Sequence, residues 1–335
     1  MLFRRPKHGV ALAGTLLSLT MVATACGGGS DDNAEGGGGG GNGEVETVAM
    51  TAGVAASQSS AALIIGAEQG FFEEEGIDLT IGEAATGAAA ITQLINGQQH
   101  VALGGISPVV SAAAGDIPIE IVSGAVNDRE DPAGTQYQTI VPGNSDVQTF
   151  ADLEGKNIAV NSLKCCWEFW IREAVEKDGG DPDSLNLVQL PFPDAVAALR
   201  AGEVDAISTL QPFATALRQE GFRDIGDSPA IAFDNPENGN TVFYMSSQFI
   251  QENEGIVERW RAALQKSADY ANDHPDETRA QIIEKTGANP ELVQSAPLPL
   301  YTAEIDTETV EKEAGFLVKY GVIEEAPDLD SVVAQ

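Results

Sequence analysis

The residues best suited to chemistry fall in one stretch, Lys164-Cys165-Cys166-Trp167, between an apolar run ending at Val160 and an amphipathic run ending near Lys177. Two adjacent sulfurs, an indole and one of the few cations in an acidic chain offer polarisable, aromatic and charged contacts within a single turn. Asn161 and Ser162 are favoured helix caps, so the pattern predicts that the first-turn N–H groups and positive dipole end of the next helix face outward beyond the strand. Such a turn is a seat for an anion or a polar ligand, formed by Ser162, Lys164, Cys165, Cys166 and Trp167. The alternative is an ordinary strand-to-helix turn in which the cysteines and Trp167 serve as packing, a common fate of these residue types.

The elements that must position this turn are a strand from Lys156 to Val160 and a helix from Glu168 to Lys177. The same strand-then-helix order recurs along the chain. Strands are predicted at Val45 to Thr51, Ile77 to Ile81, Val101 to Leu103 and Ile117 to Val122, with helices at Ala61 to Gln69, Ala88 to Asn96 and Val109 to Ala114 between them. A second series has strands at Gln138 to Val141, Leu187 to Leu190 and Val204 to Ile207, and helices at Ala195 to Ala201 and Ala214 to Glu220. This alternation implies an α/β protein with doubly wound, mostly parallel sheets, whose clefts open at the carboxyl ends of strands. Helices at Gln248 to Asn272, Pro275 to Thr286 and Thr307 to Tyr320 complete the chain, with Trp260 and Phe316 assigned to core.

The 335 residues carry a formal charge of −33, which argues against nucleic acid as a partner because phosphate binding needs clustered cations. Of three cysteines, two are neighbours, so no long-range disulfide framework is expected and stability must come from the core. His8, His100 and His274 form no ligand-spaced cluster with them. No P-loop, nucleophile elbow or dinucleotide fingerprint occurs in its structural context, so no catalytic residue, metal or cofactor is expected.

The N-terminus reads as a targeting segment. Arg4, Arg5 and Lys7 precede an apolar run from Val10 to Ala25, too short to span a membrane comfortably, and the layout is that of a secretory signal. Ala23-Thr24-Ala25-Cys26 resembles the bacterial lipobox, which assigns residues 1–25 to a signal peptide and Cys26 to lipidation. Residues 26–44 are nearly all small or polar, the composition of a flexible tether. The expected product is an exported domain, lipid-anchored to the outer face of the cytoplasmic membrane.

Four segments, AEQGFFEEEGIDLTI, QLINGQQHVALGGISPVVSA, DLEGKNIAV and LPFPDAVAALRAGEVDAISTLQPF, together resemble the periplasmic-type substrate-binding proteins of ABC importers for nitrate, sulfonates and taurine, a group that includes pyrimidine-precursor binders. The resemblance covers roughly residues 45–226 most strongly. It implies a two-lobed, type II periplasmic-binding-protein fold, with residues 45–138 and 240–335 in one lobe and 139–239 in the other. It further implies a monomer that closes on a small molecule and hands it to the permease and ATPase subunits of an importer. Carried onto this chain, the family's ligand-facing turns fall at Ser57 and Gln58, at Thr86 and Gly87, and at Ile106 and Ser107. The opposite lobe contributes Ser162 to Trp167, Phe192 and Gln211. The hydroxyl residues among these also suit plain helix capping.

These positions offer hydroxyls, amides, sulfur and rings but few cations, Lys164 being the clear one. A small anion held by backbone N–H groups, such as a sulfonate, nitrate or taurine, and a pyrimidine-like ring stacked on Trp167 both fit. The enzyme alternative is a thiamine-pathway pyrimidine synthase, which shares the fold and carries a cysteine-rich segment. Two cysteines without a neighbouring histidine make a poor metal site for that chemistry.

Overall fold

The computed structural model describes residues 46–82, 88–129 and 135–335. The signal peptide, the tether, Cys26, Thr86 and Gly87 lie outside these residues. The first run of elements is β1 (Val48–Gly53), α1 (Ala61–Gln69), α2 (Phe71–Glu74), β2 (Ile77–Gly82), α3 (Ala88–Ile95), β3 (Val101–Gly105), α4 (Ile106–Ala114) and β4 (Ile119–Asn127). The second is β5 (Tyr137–Val141), β6 (Asn157–Val160), α5 (Cys166–Lys177), β7 (Asn186–Gln189), α6 (Phe192–Ala201), β8 (Ala206–Leu210), α7 (Phe213–Gln219), β9 (Arg223–Gly226) and α8 (Ser228–Phe233). The chain then continues through β10 (Thr241–Ser246), α9 (Ser247–Glu252), α10 (Ile256–Asp273), α11 (Pro275–Thr286), α12 (Pro290–Ser295), β11 (Leu300–Tyr301) and α13 (Thr307–Lys319).

Two sheets result, ordered β11-β4-β10-β3-β1-β2 and β7-β6-β8-β5-β9. In the first, β2, β1 and β3 pair in parallel, and β4 runs the same way, but β10 lies between β3 and β4 antiparallel to both. In the second, β7, β6 and β8 are parallel, and β5 is antiparallel to β8 and β9. The parallel order expected from the βα alternation therefore holds within each series, while β5 and β10, the first strands after each passage between sheets, enter reversed. Neither strand arrives over a helical crossover of the kind that keeps successive strands parallel.

The passages themselves are joined. Tyr137 donates its hydroxyl hydrogen to Asn240 Oδ1 at 2.8 Å, and the Asp128 N–H donates to the Asn238 carbonyl at 3.1 Å. The Asp128 carboxylate accepts from the N–H groups of Arg129 and Gln136 at 2.8 and 2.7 Å, so it folds the outgoing strand end back on itself. Burial raises the pKa of both Asp128 and Asp227, and the charge of Asp128 raises Asp227 further.

Each sheet has an apolar cluster of its own, and a third cluster is shared across the seam between them, joining Ile106, Ile119 and Ile121 to Ile158, Val160 and Trp170. Trp260 of α10 is fully buried against Phe72 and Phe243, with ring centroids 5.2 and 5.3 Å away, and donates its N–H to Ser123 at 3.0 Å. That is the core position expected for it. Ile140, Ala159, Leu199, Ile207 and Leu217 form a cluster on the second sheet. Among the described residues, no helix is long and apolar enough to cross a membrane.

Local differences from the sequence reading have simple causes. The turn expected after α1 contains the short helix α2, entered through Gly70 at φ 83°, a left-handed conformation that glycine adopts without penalty. The long helix expected from Gln248 is broken at Asn253, and Gly255, at φ 75°, starts α10 afresh. Strand β9 and helix α8 were not anticipated; the carboxylate of Asp227 caps α8 through the Ala230 N–H at 2.8 Å.

Candidate functional site

The turn between β6 and α5 forms differently from the expectation. Helix α5 begins at Cys166, two residues before Glu168, and Cys165 rather than Asn161 or Ser162 is its N-cap, extended at φ −153° and ψ 175°. Cys165 makes no side-chain capping bond. Glu168 substitutes for it by reaching back to accept the Lys164 N–H at 2.8 Å, while Lys164 itself sits left-handed at φ 55°. Arg172 then holds Glu168 in place at 2.8 Å, one helical turn on.

Across from this turn stands the start of α4. Ser107, buried, donates its hydroxyl hydrogen to Glu313 of α13, and Trp170 of α5 donates its indole N–H to the same carboxyl at 3.1 Å. Glu313 thus takes one donor from a helix of each sheet. Burial pushes its pKa up to about 7 against the two hydrogen bonds, and Cys165 adds to the rise. Further along the seam, Tyr320 donates to Glu173 at 2.8 Å and stacks on Phe169 at 5.2 Å, while Lys319 pairs with Glu173 and Glu176.

The sulfurs of Cys165 and Cys166 are free and lie 3.3 Å apart. The Cys165 thiol is held down to about 6, first by the hydrogen bond from Cys166 and further by the hydroxyls of Ser107 and Ser162. The Cys166 thiol is raised well above its ordinary value, because it is the donor of that bond and is buried. Cys165 lines a cavity of about 430 Å³ together with Lys164, Ser107, Ser111, Ile91 and Ile117.

The expected site residues separate into groups. Ser107, Lys164 and Cys165 share that cavity, Ser162 adjoins Cys165, and Cys166 lies behind it. Trp167 is only 7% exposed, enclosed by Tyr137, Trp170 and Phe192 at centroid distances of 5.5, 5.4 and 5.1 Å. It is an aromatic wall at the junction of the sheets rather than an open platform. Ile106 is core, 1% exposed. Gln211 has spent its carboxamide within the protein, donating to the Thr135 carbonyl at 3.1 Å and accepting from Thr215 at 2.7 Å.

Ser57 is engaged locally, its Oγ accepting the Ser60 N–H at 3.3 Å and its own N–H donating to Ser60 Oγ at 3.0 Å. Gln58 is different. It is 3% exposed, its carbonyl accepts the Tyr301 hydroxyl at 3.0 Å, and neither its amide oxygen nor its amide nitrogen has a partner. Gln58 is thus a buried carboxamide on the turn after β1 with both ends unmade, a costly arrangement in a folded protein.

Glu313 escaped the sequence reading. Its signal was present, because it falls three residues after Val310 and four before Leu317, on the apolar stripe of α13 where a carboxylate does not belong unless partnered.

Two α/β sheets joined by paired passages, with strand-end turns of each meeting along a seam, define the fold of the periplasmic solute-binding proteins of ABC importers. Within that class, the chain belongs to the NMT1/THI5-like family, whose profile matches residues 57–278. It is 25% identical over 236 residues to the formylaminopyrimidine-binding protein of Halalkalibacterium halodurans, spanning 69% of this chain and 68% of that one. Over 168 residues it is 27% identical to the taurine-binding periplasmic protein of Escherichia coli, half of each chain at 50%. Its fold matches the periplasmic aliphatic sulphonate binding protein SsuA of Escherichia coli with a TM-score of 0.70 at 16% identity, covering 86% of this chain and 92% of that one. Both curated relatives are named as binding proteins rather than enzymes.

Proposed function

We propose that this chain is the solute-binding component of an ABC importer, held at the outer face of the cytoplasmic membrane by lipid on Cys26, and that its solute is a nitrogen heterocycle of pyrimidine type. The ligand class is carried by the buried, unpartnered carboxamide of Gln58 together with the aromatic edges along the seam. Glu313 and the Cys165–Cys166 pair occupy the seam, and Lys164 is the one charged side chain among the described residues lining its cavity. Lys164 could pair with a fixed anion such as a sulfonate, so that class is the comparison that decides. A ring with adjacent donor and acceptor edges suits the unpartnered carboxamide of Gln58, with Trp167 and Phe192 supplying aromatic edges.

Pyrimidines, taurine, alkanesulfonates and nitrate should be compared by thermal shift, since a ligand that binds only the folded state raises the melting temperature. A pyrimidine is expected to raise it, to compact the protein in solution scattering, and to be recovered unchanged. A shift given by sulfonates alone would overturn the ligand class, and recovery of a converted product would overturn the receptor reading.

A further inference from the structure

The vicinal thiols are chemistry that solute capture leaves unused. Adjacent cysteines place their sulfurs in contact at 3.3 Å, with Cys165 half-buried on the cavity and Cys166 buried behind it. The hydroxyls of Ser107 and Ser162 flank Cys165. Glu313 is already engaged by Ser107 and Trp170, and among the described residues no group of three ligating side chains could hold a metal ion. A tetrahedral or octahedral ion therefore lacks its ligands here. A linear two-coordinate ion needs its sulfurs on opposite sides, which touching sulfurs cannot provide.

We infer that Cys165 and Cys166 form a chelating site for a trivalent thiophilic metalloid of the arsenite class, its third position facing the seam cavity. Trivalent arsenic is pyramidal, with bonds near right angles, so its two sulfurs lie close together as these do. The reaction is a condensation: arsenous acid and two thiols give a dithioarsenite bearing one hydroxyl and release two waters. Two As–O bonds break, two As–S bonds form, both thiol protons leave in the water, and arsenic stays trivalent. Near neutrality Cys165 supplies the attacking thiolate, and ring closure by Cys166 follows as an intramolecular step. The cavity of about 430 Å³ has room for the third substituent. The site is independent of which organic solute the protein carries.

The test uses the full-length chain, reduced and freed of reductant, titrated with phenylarsine oxide and followed by indole fluorescence, because Trp167 is next in sequence to Cys166. Binding of one equivalent is expected, with loss of two maleimide-reactive thiols and reversal by 2,3-dimercaptopropanol but not by 2-mercaptoethanol. Cys165→Ser and Cys166→Ser should each weaken binding at least about 100-fold by removing the chelate. Cys26 is present in all three proteins and cannot produce that difference. Wild-type protein with both thiols reactive but no arsenical bound, equal binding by Cys165→Ser, or release by the monothiol would each overturn the inference. Should either variant fold poorly, the wild-type thiol count and dithiol reversal still decide it. Solute binding measured by thermal shift is a separate readout, so the two proposals fail separately.

Discussion

Trp170 gives its indole N–H to Glu313 across 3.1 Å, and the same carboxyl receives the hydroxyl hydrogen of Ser107. A single side chain on the C-terminal helix α13 therefore holds the helix that follows β3 in one sheet to the helix that follows β6 in the other. Any relative movement of the two sheets at this seam changes one or both bonds.

Stability should depend on pH through this carboxyl. Burial raises its pKa from 4.5 to about 7, so the folded state binds the proton more tightly than the unfolded one. The contribution is fully present below the unfolded value and is lost as pH rises through about 7, an effect of roughly 3 kcal/mol. Glu313→Gln should remove that part of the slope between pH 4.5 and 8, while the buried pair Asp128 and Asp227 titrates identically in both proteins. Urea melts at several pH values measure the difference; parallel pH profiles for the two proteins would show that Glu313 is not the group responsible.

Gln58→Leu should separate binding from folding. The carboxamide has no protein partner, so its removal should leave the unliganded protein as stable as before or more stable. Affinity for the solute should fall by about 1–3 kcal/mol, the worth of the hydrogen bonds forgone. Denaturant melts without ligand and calorimetric titration with it give the two numbers. Unchanged affinity would remove Gln58 from the site.

The tryptophans should divide in the same way. Trp260→Ala is expected to cost about 3–5 kcal/mol of stability by leaving a cavity against Phe72 and Phe243, with affinity per folded molecule unchanged. Trp167→Ala should lower affinity by about 1 kcal/mol or more through loss of the aromatic wall facing Phe192. Paired titrations and melts on both variants check this, and wild-type affinity in Trp167→Ala would make that residue packing alone.

The proposed anchor rests on one residue, Cys26. Wild-type protein expressed in its host should partition with membranes and enter the detergent phase, and Cys26→Ser should leave it unprocessed or release it. Wild-type protein found wholly in the soluble fraction would sink the lipid assignment.

Much of the fold was legible because its signals are local. Apolar β-prone runs such as Ile158 to Val160 fixed strands, and Gly202, left-handed at φ 73°, marked the end of α6. Strand β9 was not, since Arg223-Asp224-Ile225-Gly226 has one apolar residue and is held by pairing with β5. The cap of α5 was misplaced because the hydrogen-bonding residue lies inside the helix: Glu168 reaches back to Lys164, leaving Asn161 and Ser162 outside. At the candidate site, the thiol turn stood out from the residue types between strand and helix. Glu313 shows in the sequence only as a carboxylate on an apolar stripe; its partners Ser107 and Trp170 lie 206 and 143 residues away, and only the folded chain brings them together.

The position of α13 has a consequence for how the molecule is assembled. Glu313, Lys312 and Lys319 lie within the last 25 residues, and they supply the acceptor for Ser107 and Trp170, the ammonium on the Phe233 carbonyl and the cation for Glu173. A polypeptide made from its N-terminus, or threaded N-terminus first through a membrane, has both sheets available before this fastening arrives. Until Thr307–Lys319 emerges, Ser107 and Trp170 share no acceptor, so the seam closes only once α13 has been made. A product ending before Thr307 would leave Ser107 and Trp170 unlatched and the seam open to proteases.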